Sequence, residues 1–576
     1  MKCRMRAVLK WMTVVVVFFV GSAQAFAEDG EVVEGDVDEE SVPVEEMEQG
    51  TPGEVEVTGD EVLTANAEDP RQLSWRWLIG GQAFELTAGI VWYLTDEETN
   101  EVDWDYSGIY TSRDVVEEGN MGPRELKPQR ERWRGLDGFR FEDNVMVLNS
   151  PLHPMAGAGY YILARSASAG MAGSALTAQV SSLVWEGAIE HMEVFSINDQ
   201  LLTAAGGVAL GEAYFQLGDF FRRAEPTRFN RSMAWVFGFP SQLRDRIHGY
   251  DAPQARAYGD HGWPEEIWNR FTIEPAFSVA STRAEGEEGF GDPRFDGELA
   301  VAMEISNLPD YRRSGEHSRW LSGPLYSSLE ANLAMGSDVH DWGLRSELDF
   351  AGYYRHDVRG EDVGSQRGTS LFVGTGLGFR HVQHRFDDAG AFDERRFLDR
   401  HGIVHFPGLR LDASWFTGVA DVRLRYGLTP DFAAMESRAY RDFRAAGQEE
   451  YQGFQTVVEK EGYYYGAGFS SLVDLEVTID PVHLHWGWDL HWTSSIDRAD
   501  RFKDFEEFEG YLSMTDLVST HEVGAIFDIP VSNLRAGVRG EYRQRSGTLQ
   551  EPGEEGDFVE SQSSELRGLG VLQLSY

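Results

Sequence analysis

From about residue 271 to the last residue, apolar and polar side chains alternate with a period of two in one segment after another. That spacing is the signature of strands with two chemically different faces. Leu409, Leu411, Ala413 and Trp415 alternate with Arg410, Asp412 and Ser414; Val422, Leu424, Tyr426 and Leu428 alternate with Asp421, Arg423, Arg425 and Gly427. Trp342, Leu344, Leu348 and Phe350 stand opposite Arg345, Glu347 and Asp349, and Leu534, Ala536, Val538 and Tyr542 opposite Arg535, Arg539, Glu541 and Arg543. A soluble sandwich would bury the apolar face against a second sheet and wet the other. Strands of ten or more residues with a strongly charged second face fit better as a transmembrane barrel, with hydrocarbon outside, charge lining the lumen and closure satisfying every backbone group.

The segments fall at about 271–281, 296–306, 326–337, 341–354, 368–383, 405–416, 419–429, 464–478, 480–493, 515–529, 532–546 and 564–576. Twelve is even, as a bacterial single-chain barrel requires. Polar loops are expected over 381–400 and 434–452. The last strand puts Leu566, Gly568, Gly570, Leu572, Leu574 and terminal Tyr576 on one face. A chain ending on an outward aromatic resembles the terminal signal read by outer-membrane assembly machinery, which is therefore an expected partner beside outer-membrane lipid and lipopolysaccharide.

The chain begins as a secreted one does. Lys2, Arg4, Arg6 and Lys10 precede an apolar run from Trp11 to Gly21, and small residues around Ala23 and Ala25 offer a cleavage site, so 1–27 is expected to be a signal peptide. The run falls short of the ~20 residues that a retained anchor needs to span. Residues 28–70 carry 17 acidic side chains and no Lys or Arg, the composition of a self-repelling disordered arm, here expected to be periplasmic. The whole chain holds 51 Lys and Arg against 96 Asp and Glu, a balance that repels a phosphate backbone and argues against nucleic-acid binding. Its one cysteine, Cys3, lies in the leader, which excludes disulfide frameworks, cysteine zinc sites and cysteine nucleophiles from the mature protein.

Between these ends the chain changes character. From Met155 to His191 the only charges are Arg165, Glu186 and Glu190, and strand alternation is absent. Helices are expected over about 155–168, 171–193 and 199–221, with Pro154 suited to the first helix start and Ala169, Gly170, Gly173 and Ala175 permitting close helix contact. None of these runs makes a convincing lipid-exposed span. Their expected place is the barrel lumen, as a plug, or the periplasm beneath it, with a lean toward partial occlusion. Residues 71–134, including Trp75, Trp77, Phe84, Trp92 and Tyr93, are a membrane-adjacent or packing segment whose secondary structure the pattern leaves open. The expected organisation is thus α+β: 135–225 helical, 226–269 a connector and 270–576 an antiparallel barrel of about twelve strands in the cell outer membrane.

The run Asn149–Ser150–Pro151–Leu152–His153–Pro154, then Gly157, Tyr160–Tyr161 and Ala164–Arg165–Ser166, resembles the signature of an uncharacterised bacterial family, the domain of unknown function numbered 3943. Later blocks continue the resemblance: Ser182, Trp185–Glu186 and Glu190, then Ser196–Ile197–Asn198–Asp199, then Gly206–Gly207 and Leu210–Gly211–Glu212. Phe195 replaces a common proline. The resemblance implies a location and an architecture but no reaction.

Several residues could carry chemistry. His153 could act as a general base near neutral pH, or simply anchor its turn. Glu186 and Glu190 share a helix face and could serve as acid and base, or bind a metal with His191; a structural pair of either with Arg165 is the stronger expectation. Ser196 and Asp199 match a helix N-cap with an acid at the third position. Ser196, His153 and Asp199 make a hydrolytic triad only on paper, because no Gly-x-Ser-x-Gly elbow accompanies them. His483, His485 and His491 share a strand face with Asp489, and alternate residues stand about 6.6–6.8 Å apart; they are weak metal candidates and ordinary lumen lining otherwise. No phosphate-binding, dinucleotide, HExxH or EF-hand motif is present, so no cofactor is expected. The function expected is structural, envelope-maintaining or restricted transport. The alternatives are a membrane enzyme acting on lipid or envelope polymer, and a solute pore occluded by the helices.

Overall fold

A computed structural model of the chain describes residues 63–64, 72–95, 139–141, 146–189, 195–284, 289–336, 339–360, 365–385, 398–445, 462–496, 512–530, 533–550 and 558–576. The signal peptide and nearly all of the acidic arm lie outside these residues. Within the arm only Leu63–Thr64 are described, and they pair in parallel with Leu321–Ser322.

All twelve alternating segments are strands: β1 (Trp268–Ala284), β2 (Arg294–Ser306), β3 (Gly315–Met335), β4 (Val339–Arg359), β5 (Arg367–Arg385), β6 (Leu398–Thr417), β7 (Asp421–Glu436), β8 (Tyr463–Ile479), β9 (Val482–Ser495), β10 (Ser513–Asp528), β11 (Leu534–Gln550) and β12 (Phe558–Ser575). Each pairs antiparallel with the next, and β12 pairs with β1 from Ser563↔Ala284 to Ser575↔Thr272, so the sheet closes on itself. Closure leaves no open edge, the condition for a sheet to stand in hydrocarbon. The connections at one end include 386–397, 437–462 and 496–512, whereas those at the other are shorter, from the tight turns 480–481 and 418–420 up to 360–366 and 307–314.

The alternation sorts side chains as expected. Phe277, Phe295, Val301, Leu409, Leu428, Trp486, Val523, Val538, Leu566 and Leu572 are exposed on the outer surface. The charged face turns inward, because its ion pairs join strands that are not neighbours: Arg270 of β1 to Glu476 of β8 (2.7 Å), Arg423 of β7 to Glu304 of β2 (3.1 Å), Arg545 of β11 to Asp399 of β6 (3.2 Å), and Arg380 of β5 to Asp489 of β9. Only a path through the interior connects such strands.

The helices are α1 (Trp75–Thr95), α2 (His153–Ser166), α3 (Met171–Val184), α4 (Ile197–Leu201), α5 (Gly207–Arg223), α6 (Arg228–His248) and α7 (Arg438–Ala445). The segment whose structure the pattern left open thus contains α1, and the expected connector contains α6, which bends at Gly238 ahead of Pro240. The expected single helices over 171–193 and 199–221 are each interrupted by a wider turn, Trp185–Ile189 and Leu202–Gly206.

The expected plug is corrected by where the N-terminal helices pack. Phe141, Met146, Leu202 and Ala209 form one cluster with Phe379, Val404, Phe432, Ala434, Tyr463 and Tyr465. Those six strand residues belong to the outward parity: Phe379 faces Val404 across the ladder, and the inward residues Arg380, Ile403, Ala433 and Tyr464 alternate with them. Likewise Leu348 packs with Tyr160, Tyr161, Ala178 and Val208, and the outward Met303 and Ile305 with Leu217, Phe220, Phe221 and Ala234. The helical unit α1–α6 therefore lies against the outer wall across β2 to β8. An apolar helix face packs equally well on either side of a greasy wall, but here the lumen is already filled by charge.

Among the described helices the one that enters the lumen is α7, in a stretch expected to be a polar loop. Its Ala439, Tyr440 and Phe443 pack on the inward Ile403, Ala433, Met435, Tyr464, Met514 and Leu549. Ser437 caps it, with Oγ accepting from the Tyr440 amide at 3.2 Å, and Arg438 Nε donates to Ser561 Oγ of β12 at 2.9 Å. The flanking residues 381–385, 398–400 and 434–436, also expected in loops, continue the strands.

Candidate functional site

The helical unit is built on close helix crossings that small residues permit. Gly157 of α2 lies against the Thr203 carbonyl and Gly207 of α5, so closely that a side chain at Gly157 would strike backbone. This crossing brings the start of α2 beside α4, and with it the residues that stand out in the sequence.

Asn149 and Ser150 are wholly buried in the turn before α2. Asn149 Oδ1 accepts from Asn198 Nδ2 at 2.9 Å, and Asn149 Nδ2 donates to the Tyr463 hydroxyl of β8 at 2.8 Å. That hydroxyl meets the Tyr465 hydroxyl at 3.1 Å. Ser150 Oγ lies 3.0 Å from His381 Nδ1 of β5, in a gap left open by Gly402 of β6. Asn198 Nδ2 also donates to Asp199 Oδ1 at 2.8 Å, and Asp199 Oδ1 holds His153 Nδ1 at 2.8 Å. Pro154 follows at the first turn of α2 and packs against Gly206. The result is a polar clasp of five helical-unit residues that ends on two strands of the outer wall.

The N-cap expectation holds: Ser196 Oγ accepts from the Asp199 amide at 3.3 Å. The same hydroxyl donates to Asn198 Oδ1 at 2.8 Å rather than to an imidazole, so the paper triad is not assembled. The expected partner of Arg165 is corrected. Arg165 pairs with Glu212 of α5 (Nε to Oε2, 3.0 Å), which also accepts from the Tyr161 hydroxyl at 2.5 Å and Gln216 Nε2 at 2.5 Å. Burial opposes the charge on Arg165, but Glu212 beside it holds the guanidinium above its ordinary pKa, while burial and the Glu212 carboxylate push the Tyr161 phenol well above its own. Glu186 instead accepts from the Ser196 amide at 3.0 Å and so fixes the entry to α4. Trp185 fills the space over Gly89 of α1. Glu190 and His191 lie outside the described residues, as does the acid and base or metal arrangement built on them.

The three strand histidines line the lumen and go to separate carboxylates. His483 meets Asp528 at 2.9 Å, His485 lies between Asp474 (2.8 Å) and Glu522 (3.1 Å), and His491 meets Asp489 at 2.9 Å. Among the described residues no group of three or more His, Cys, Asp or Glu side chains could hold a metal ion. Sequence reasoning missed Tyr463, Tyr465 and His381 as partners of the clasp. The run Tyr463–Tyr464–Tyr465 was the available signal, since alternation sends its outer two hydroxyls to the outer wall and the middle one into the lumen, where it donates to Asp516 at 2.8 Å.

No curated protein sequence matches the chain. Among solved structures it is similar to the toluene transporter TodX of Pseudomonas putida, at 8% identity over 53% of this chain and 89% of that one with a TM-score of 0.19. It is also similar to the translocator domain of the autotransporter NalP from Neisseria meningitidis (10%, 52% and 88%, 0.17) and to the outer membrane channel DcaP of Acinetobacter baumannii (8%, 55% and 99%, 0.15). The fold assignment stands on the closed strand pairing itself. Residues 138–239, which carry the clasp and most of the helical unit, match the family model described as Domain of unknown function (DUF3943).

Proposed function

We propose that this chain is an outer-membrane barrel that does not conduct solutes along its axis and serves a structural, envelope-maintaining role as a fixed wall for the helical unit. The observation that carries the reading is the set of ion pairs tying opposite strands across the lumen, Arg270–Glu476 and Arg423–Glu304 toward the tight-turn end and Arg545–Asp399 beneath α7. In barrels of this class the short turns face the periplasm, which would put the acidic arm on that side. The exposed apolar belt is the surface for outer-membrane lipid and lipopolysaccharide, and outer-membrane assembly machinery is the proposed partner that places the barrel there.

Planar-bilayer conductance tests this. The full chain is expected to be silent, and deletion of residues 149–221 is expected to leave it silent, because the helices lie outside and the uncovered wall is apolar. A conductance increase on that deletion would restore the occluded-pore reading. A second reading, a membrane enzyme acting on lipid or envelope polymer, is supported by the His153–Asp199 pair, whose geometry suits an oriented base. His153→Gln separates the two: an enzyme loses product formation with its fold intact, whereas a clasp residue loosens the helical unit.

A further inference from the structure

The surface of the helical unit is inverted. A helix on a water-facing domain buries apolar side chains and exposes polar ones. In α3 the buried positions include Ser174, Ser181 and Ser182, while Leu176, Val180, Leu183 and Val184 are exposed, Leu176 to 65%. The polar side is satisfied within the unit: Ser181 Oγ donates to Gln82 Oε1 at 2.7 Å, Gln200 Nε2 to Ser182 Oγ at 2.9 Å, and Gln179 Nε2 to Gln200 Oε1 at 2.6 Å. Helix α1 repeats the arrangement in part, although it also buries Leu78 and exposes Arg76 near its start. Gln82 is buried and donates to the Tyr160 carbonyl at 2.9 Å, whereas Trp75, Ile79, Phe84 and Val91 are exposed. From Ser166 to Trp185 the chain carries no charged residue.

The inverted face is continuous with the barrel's apolar belt. On β2, Val301 is exposed and Met303, the next residue on the same face, is covered by the helical unit; on β7, Leu428 is exposed and Phe432 is covered; on β8, Phe469 is exposed and Tyr465 is covered. The unit thus begins where the belt leaves off, and Ala178 of α3 shares a cluster with Leu348, in the middle of β4, through Tyr160, Tyr161 and Val208.

We infer that the outer face of α1 and α3 is a lipid-contact surface, so that the helical unit lies in the membrane beside the barrel with acyl chains against Leu176, Val180, Leu183 and Ile79. This rests on the membrane-barrel reading above. No described helix is long and apolar enough to cross a membrane alone, and none needs to, because the barrel wall covers the opposite side of the unit. Hydrocarbon also explains the polar interior: where water cannot serve as partner, every buried hydroxyl and amide must find one within the protein.

The test is spin-label accessibility in phospholipid vesicles, on the full chain with Cys3→Ser. Labels at Leu176→Cys, Val180→Cys and Ile79→Cys are compared with Phe277→Cys and Val538→Cys on the belt and with Arg359→Cys near the tight turns. The expected result is high oxygen and low water-soluble nickel-complex accessibility at the helical positions, matching the belt and several-fold less nickel exposure than Arg359→Cys. Nickel exposure equal to that of Arg359→Cys, with the belt sites still shielded, would overturn the inference alone. Shielding from both reagents together with disulfide capture between copies through Val180→Cys would overturn it in favour of a second copy of the chain. Nickel exposure at Phe277→Cys and Val538→Cys would instead remove the membrane barrel on which it rests.

Discussion

The two faces of one wall are held in different ways. On β6, Asp399, His401 and Ile403 face a lumen crossed by charge, while Gly402 and Val404, alternating with them, face the helical unit through apolar contact and neutral hydrogen bonds. The difference follows from what surrounds each face. Charges enclosed by a barrel can meet partners from every side, and the lumen supplies them, as where Asp399 receives both Arg543 (2.8 Å) and Arg545 (3.2 Å). The outer wall offers an ion no such enclosure, and an unpaired one there is expensive. The clasp accordingly reaches the wall through amide, hydroxyl and imidazole groups, Asn149 to Tyr463 and Ser150 to His381.

The most severe way to break this comparison is to remove a shared carboxylate. Asp399→Ala strips an acceptor from two buried arginines, and truncating one member of a buried charged set costs about 3–5 kcal/mol. Urea unfolding of the detergent-solubilised barrel should show a loss of that order. A loss under about 1 kcal/mol would mean that water already screens the lumen as it screens surface pairs.

The neutral face should respond locally and more weakly. Asn149→Leu removes the donor to Tyr463 and the acceptor for Asn198, and leaving buried polar groups unsatisfied costs about 1–3 kcal/mol. Limited proteolysis should find the helical unit opened while urea unfolding of the barrel is unchanged. An equal shift in both would show that wall and unit melt together.

How far the sequence carried these features depends on which physics set them. The twelve strands were legible because a wall between two unlike media forces alternation, as in Leu409–Arg410–Leu411–Asp412. Their ends were less legible, since the last turns of β4 and β5 leave the apolar belt and the alternation fades there. The side on which the helices dock left no trace in their own residues: Leu202 and Ala209 would suit any apolar surface. Helix α7 was hidden because Arg438, Arg441 and Asp442 make its stretch look like a solvated loop, although Tyr440 and Phe443 point into the lumen core. Of the clasp, the Ser196 cap follows from local spacing and was readable. The Arg165–Glu212 pair joins two helices 47 residues apart, and nothing local to Arg165 distinguishes Glu212 from the nearer Glu186.

Glu85 sharpens the comparison from the opposite direction, with the smallest effect. Its carboxylate lies against Gly159 of α2, Oε2 has no hydrogen-bond partner among the described residues, and burial pushes its pKa well above the usual carboxylate value. Where Asp399 in the lumen lies beside two arginines, this carboxyl has none and should keep its proton. Below the ordinary carboxylate range the folded and unfolded states are both protonated and the group is neutral in the balance. As pH rises through that range the unfolded chain releases its proton first, so the unit loses stability until the folded group ionises as well. Glu85→Gln abolishes that titration and keeps a neutral side chain of the same length. Hydrogen exchange of α1 should therefore be slower in the variant than in the native chain at pH 8, with the difference shrinking toward pH 4. A constant difference across that range would mean that the carboxylate is ionised in the folded unit and that charge on this side of the wall is tolerated without a partner.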